Sequence, residues 1–298
     1  MHVFVTGASG FIGSAVVPEL LRAGHQVTGL ARSDASAAAL AAAGAEVLRG
    51  NLTDLDSLRA GASAADGVIH LAYNHDFSQM GLAAQTDRAA LEAIGDVLAG
   101  TDRPLVFASG VIGMAPGRVA TEHDAPPEAL HPRIVTTATA LTLASRGVRV
   151  VSMRFAPTVH GEGDHGFMHT IISIARQKGV SGYVGDGHNR WPAVHRLDAA
   201  TLVRLALEKG TAGSSLHAVA EEGVRILDVA TVIGRHLNLP VVSVPADQAA
   251  EHFGWMGMFI GADSPVSSTL TRQWMGWTPS HPGLLTDLEQ GHYFNAPD

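Results

Sequence analysis

No cysteine occurs among the 298 residues, so disulfides, thiolate zinc sites and cysteine nucleophiles are all excluded. Positive charge is scarce: 20 lysines and arginines stand against 28 aspartates and glutamates, for a formal net charge of −8. Without a basic patch to neutralise phosphates, neither a nucleic acid nor an anionic membrane surface is expected as partner. No run of about 18 apolar residues occurs, so no transmembrane helix is expected. Met1-His2-Val3-Phe4-Val5 enters a strand with no charged leader before an apolar stretch, and a soluble, cytoplasmic protein is the expectation. Two residue types of value to chemistry are rare as well. The only lysines are Lys178 and Lys209, and the only tyrosines are Tyr73, Tyr183 and Tyr293. Apolar residues, by contrast, make up 46% of the chain, enough for a sizeable core.

The first half alternates short apolar runs with helical patterns, the mark of a parallel sheet wound by crossover helices. Strands are expected at Val3–Thr6, Gln26–Ala31, Glu46–Arg49, Gly67–Ala72, Leu105–Ala108 and Val148–Arg154. Helices are expected at Gly13–Ala23, Ala35–Ala43, Leu55–Ala60, Gln85–Leu98 and Arg133–Arg146. The Gly-, Pro- and acid-rich stretch Gly110–Pro132 reads as loop over a site. Later, Gly161–Gly166 and Gly182–Asn189 read as glycine-rich loops around a helix Phe167–Lys178. Asp198–Glu208 returns to helix, Ser215–Val219 to strand and Ile226–Leu237 to helix. The fold class is α/β: a doubly wound parallel Rossmann sheet, residues 1–160 with about 195–222 returning to it, and a smaller lobe from 161–194 and 223–298.

Thr6-Gly7-Ala8-Ser9-Gly10-Phe11-Ile12-Gly13 follows a strand and opens a helix. In that context Gly7 permits the tight turn, Gly10 lets the backbone approach a pyrophosphate, and Gly13 lets helix and strand pack closely. The helix N-terminus, from Ser9 through Phe11 and Ile12, offers unpaired N–H groups to the anion. At the end of the second strand an acid would accept the ribose hydroxyls of NAD. Ala31 stands there instead, followed by Arg32 and Ser33, a guanidinium and a hydroxyl suited to a 2′-phosphate. NADP(H) is therefore the expected cofactor.

These segments resemble the extended or atypical branch of the short-chain dehydrogenase/reductase superfamily over nearly the whole length. The resemblance rests on Thr6–Gly13, Gly50–Asp54, Asp66–Ala72, Arg154–Gly161 and Ala193–Asp198. It implies adenine contacts at Asn51 and Leu52, nucleotide contacts at Leu71 and Ala72, and backbone facing the nicotinamide at Pro157 and Val159. It also implies a small C-terminal substrate lobe, with chemistry at the nicotinamide between the two parts. The family pattern adds a Ser or Thr after strand five and Tyr-x-x-x-Lys on the next helix, and here the sequence departs. Arg133 falls near the lysine position and Ala129 near the tyrosine position, and Gly110 occupies the place nearest the catalytic serine. Arg133 could hold ribose hydroxyls but does not deprotonate, so it is no proton relay.

Four groups are candidates to replace the missing acid. Ser109 ends strand five, His75 stands in Tyr73-Asn74-His75-Asp76-Phe77 after strand four, Tyr183 lies in a glycine-flanked loop, and Thr137 follows Arg133 by one turn. Of these, histidine titrates nearest neutrality. Each also has a purely structural reading: surface histidine, packed aromatic, helix filler. His165 and His169 stand at i and i+4, but Gly166 interrupts them and no zincin pattern is present, so no metal is expected. Trp191, Trp255, Trp274 and Trp277 are expected to pack the second lobe and line its pocket. The leading reading is hydride transfer between NADP(H) and a small carbonyl, alcohol or related C=N or C=C substrate. An epimerase, dehydratase or isomerase retaining its nucleotide, or a catalytically silent NADP sensor, are the alternatives. Helices Gln85–Leu98 and Arg133–Arg146 could form a homodimer face or be buried within the monomer.

Overall fold

Along β1 (His2–Thr6), Val3 and Val5 pack with one apolar cluster and Phe4 with another, all fully buried, so the strand lies inside a sheet covered on both faces. The computed structural model describes residues 1–75, 79–126 and 132–295. The sheet around β1 has seven strands in the order β10-β6-β5-β4-β1-β2-β3, and every neighbouring pair is parallel. These strands are β2 (Gln26–Ala31), β3 (Glu46–Arg49), β4 (Gly67–His70), β5 (Pro104–Gly110), β6 (Arg149–Phe155) and β10 (Ser214–Ala218). Helices α1 (Gly13–Arg22) and α7 (Arg196–Lys209) cover one face, α3 (Leu55–Ala64), α4 (Met80–Leu98) and α5 (Pro132–Leu141) the other. The expected doubly wound parallel Rossmann sheet is thus the observed architecture. From β1 the chain runs outward to β2 and β3, then returns to place β4 on β1's other side. The crevice at the C-terminal ends of β1 and β4 is therefore the switch point where such sheets bind ligands.

A separate apolar core, including Met168, Ile172, Trp191, Ile233 and Phe253, forms beyond this edge. It lies among α6 (Phe167–Lys178), α8 (Ile226–Leu237) and two small sheets. One sheet joins β7 (Thr158–His160), β9 (Arg190–His195) and β11 (Glu221–Arg225); the other pairs β8 (Ser181–Val184) with β12 (Val241–Val244). Here the sequence expectation is corrected: part of Gly182–Asn189 is strand, not loop. Its partner lies some 60 residues on, at Val241 opposite Ser181, and that long-range ladder overrides the local turn signal of the glycines. The segment Thr142–Arg146, expected as α-helix, is a 3-10 turn that Gly147 stops in the left-handed conformation (φ 73°). Strand β4 ends at His70, two residues earlier than expected, and the Leu71 and Ala72 amides donate to the Thr6 carbonyl and hydroxyl. Among the described residues no helix is long and apolar enough to cross a membrane.

Candidate active site

The glycine loop is held by its own backbone. Gly7 has φ 67°, and a Cβ there would lie 2.6 Å from the Ala72 amide nitrogen, so the β1 and β4 ends touch only through glycine. A Cβ on Gly13 would collide with the Gly7 carbonyl. Gly10 is different: its added Cβ would meet only the Gly7 carbonyl at 3.2 Å, and its outer side is exposed with Ser9. The Phe11 and Ile12 amides have no acceptor among the described residues, and no side chain caps α1. Donors of this kind at a helix start, with an open backbone beside them, fit a pyrophosphate.

At the end of β2, Arg32 is exposed, with no acceptor among the described residues. Ser33 also caps the next helix. Its hydroxyl accepts the Ser36 amide (3.2 Å) and caps α2 (Asp34–Ala42). The nearest acid, Asp34, faces Arg49 at 2.8 Å. Asn51 also turns inward on itself: its amide oxygen accepts from the Thr53 amide (2.8 Å), the Thr53 hydroxyl (2.6 Å) and the Asp54 amide (3.2 Å). Leu52 is half-buried against the core beneath it. Leu71, Ala72, Pro157 and Val159 are all half-buried near the C-terminal edge of the sheets.

Behind this edge runs a hydrogen-bonded chain that the sequence did not announce. The Ala72 amide donates to the Thr6 hydroxyl (3.3 Å), which lies 2.9 Å from His70 Nδ1. His70 Nε2 lies 3.1 Å from Asp87 Oδ1, and Arg133 Nε donates to Asp87 Oδ2 at 3.1 Å. A second Arg133 nitrogen donates to the Ala108 carbonyl at 2.8 Å. Thr6, His70 and Asp87 are essentially inaccessible to solvent. Burial alone would raise the Asp87 carboxyl, but the His70 hydrogen bond and the Arg133 charge outweigh it and hold it below the ordinary carboxylate range. The Arg133 guanidinium carbon stands 3.8 Å from the centre of the Tyr73 ring, and His75 meets that ring edge-on at 5.3 Å. The pKa of His75 is lowered by desolvation, then by Arg133 and by His165. Asp76, Phe77 and Ala129 lie outside the described residues.

The expected hydroxyls are engaged. Ser109 Oγ is buried 2.8 Å from Ser152 Oγ, on the neighbouring strand. Thr137 donates to the Arg133 carbonyl one turn back (3.1 Å). Tyr183 sits on β8, packed against the smaller core.

Two further groups, missed in sequence, approach the glycine loop. The Arg196 guanidinium stands 5.2 Å from the Phe11 ring, with no acceptor among the described residues, and the His165 ring meets Phe11 edge-on at 5.8 Å. Three buried contacts with the C-terminal segment hold the His165 loop. Tyr293 Oη donates to Asp164 (2.9 Å) and accepts the Gly161 amide (3.1 Å), and His160 pairs with Asp287 at 2.9 Å. Burial raises the Asp164 carboxyl above its ordinary value. Nothing local in Asp164-His165-Gly166 reveals a partner nearly 130 residues away, so only the fold exposes this link.

A family model described as NAD dependent epimerase/dehydratase matches residues 3–219. An uncharacterized protein of Schizosaccharomyces pombe is 51% identical over 295 residues, covering 99% of this chain and 100% of that protein. A 4-hydroxy-2-methyl-3-oxo-4-farnesyl-3,4-dihydroquinoline-1-oxide ketoreductase of Stigmatella aurantiaca is 26% identical, covering 89% of this chain and 84% of that protein. Among solved structures, a Thermus thermophilus UDP-glucose 4-epimerase in complex with NAD has a TM-score of 0.74 at 22% identity, over 100% of both chains. At that identity the likeness is one of fold.

Proposed function

The chain belongs to the NAD dependent epimerase/dehydratase family, and from that membership we propose that it is an NADP(H)-dependent oxidoreductase acting on a small carbonyl or alcohol, or a related C=N or C=C substrate. The observation that carries the reading is the open glycine loop, with bare Phe11 and Ile12 amides, beside an exposed Arg32. No acid stands where one would select the unphosphorylated nucleotide, since Asp34 is engaged by Arg49. The nicotinamide, when bound, supplies or accepts the hydride; the chain's share is orientation, electrostatics and the proton. Arg133, fixed by Asp87 and the Ala108 carbonyl, is the group for the ribose hydroxyls. Arg196 adds positive charge beside the glycine loop that two lysines in the whole chain could not supply, and the His165 ring packs against Phe11 there.

Of the four proton-donor candidates we retain His75. The hydroxyls of Ser109 and Thr137 bond to other protein groups, and Tyr183 packs into the smaller core. A lowered His75 pKa leaves the ring neutral at pH 7, ready to accept a proton during alcohol oxidation. In carbonyl reduction it must first be protonated, so that direction speeds up toward acid pH. The proposal also divides the chain into a nucleotide part, 1–160 with about 195–222, and a substrate lobe, 161–194 with 223–298. Leu82 on α4 and Val135 on α5, exposed by 56% and 44%, mark the face for a homodimer.

Incubation with NADPH and a panel of ketones, aldehydes, imines and enones tests the reading. Loss of reduced-nicotinamide absorbance with matching alcohol, amine or, from an enone, saturated ketone supports it. Product without net nucleotide consumption indicates an isomerase, and nucleotide binding with no turnover indicates a sensor.

A further inference from the structure

Among the described residues, four rings of the proposed substrate lobe pack together. Phe167, the first residue of α6, lies 5.6 Å from Trp191, 5.7 Å from Trp255 and 5.8 Å from Phe259. Trp255 and Phe259 meet at 6.3 Å. Trp191 is 1% exposed, with its indole N–H donating to the Ala262 carbonyl (3.1 Å), whereas Trp255 is 38% exposed. The Asn189 side chain donates to the Ile260 carbonyl (2.7 Å), and the Gly113 amide donates to Ser264 Oγ (3.2 Å). These bonds tie the segment carrying Trp255 and Phe259 to β9 and to the loop after β5.

The cluster also adjoins the nucleotide loop. Phe167 is two residues from His165, whose ring rests on Phe11. Ile112, two residues past β5, packs against the same apolar core. A planar apolar molecule lying on these rings would stand at the C-terminal edge of the central sheet, where the nicotinamide is expected.

Charge points the same way. Segments 161–194 and 223–298 contain six arginines and lysines. Arg190, Arg225 and Arg235 are paired with Asp263, Asp228 and Glu289, and Arg176, Lys178 and Arg272 reach backbone carbonyls. A nucleotide sugar brings a diphosphate, which calls for guanidinium or ammonium groups available to it. Within these two segments each such group already has a protein acceptor, and Arg196, outside them, is assigned above to the cofactor's pyrophosphate.

Resting on the NADP(H) reading above, we propose that the substrate is an uncharged aromatic or conjugated carbonyl compound, stacked on Trp255 and Phe259, and not a nucleotide sugar. In the forward step the carbonyl carbon receives hydride from NADPH and the oxygen receives a proton. The products are an alcohol and NADP+.

Ligand-observed NMR on the full chain, with and without NADP+, tests this using benzaldehyde, propanal and UDP-glucose. The expected result is saturation transfer to benzaldehyde, little to propanal and none to UDP-glucose. Trp255→Ala should weaken benzaldehyde binding at least tenfold, while Trp274→Ala, at an exposed tryptophan outside the cluster, leaves it within twofold. Thermal melts of both variants check that they fold. Binding of UDP-glucose, or benzaldehyde binding indifferent to Trp255, overturns the proposal. Failure to bind NADP+ would instead overturn the cofactor reading, and the nucleotide-free benzaldehyde arm still decides this one.

Discussion

Arg196 stands over Phe11 with a guanidinium that no described protein group accepts from, while Asp87 is buried between His70 and Arg133. The two residues make opposite predictions. Arg196→Met should weaken NADPH and ADP-ribose alike, by about tenfold for one partly exposed charge-assisted contact, and leave 2′-AMP unaffected. Isothermal titration with the three ligands reads this directly. Asp87→Asn removes the buried charge that His70 and Arg133 both bond to, and a loss of about 1–3 kcal/mol in a denaturant titration is expected. Legibility followed the same division. The roles of Gly7 and Gly13 were visible in spacing alone, because a backbone collision can be read from a motif. Asp87 looked like one more acid on a helix, since nothing local tells that β4 brings His70 beneath it.

At the scale of elements, the strands and helices of the first half lie close to where hydrophobic periodicity puts them. Each βα unit buries a short apolar strand under a helix close by in sequence. The second half was harder, because β7, β8, β9, β11 and β12 draw their identity from distant partners. The segment around α12 (Leu284–Glu289) shows the functional consequence. Through Tyr293 and Asp287 it fixes the loop that carries His165 to the glycine loop. Tyr293→Phe removes the donor to buried Asp164 and the acceptor of the Gly161 amide. A loss of about 1–3 kcal/mol is expected, with faster hydrogen exchange at residues 161–166. An unchanged melting temperature and unchanged exchange would deny that the C-terminal segment positions the loop.

The whole molecule carries a pH signature. His195 and His217 are both lowered to about 4, in each case chiefly by burial. The His217 ring lies between the Ser267 carbonyl (2.8 Å) and the Arg154 guanidinium (3.3 Å), so a second ring proton would face a donor. The unfolded chain takes up these protons below about pH 6.5, the folded chain only near 4. Stability is therefore full above pH 6.5 and lost as pH falls toward 4, with a slope of at most about 2.7 kcal/mol per pH unit for two protons. Asp164, raised by burial, opposes this with a single group. Calorimetric melts between pH 7.5 and 4.5 should show the decline, and His217→Gln should flatten it.

In the function proposed above, the open glycine loop and Arg32 select the phosphorylated nucleotide. Parallel fluorescence titrations with NADPH and NADH test it most directly, on the natural chain and on Arg32→Ala. NADPH is expected to bind at least tenfold tighter, with that preference lost in Arg32→Ala and NADH affinity unchanged. Equal or tighter binding of NADH by the natural chain would contradict it.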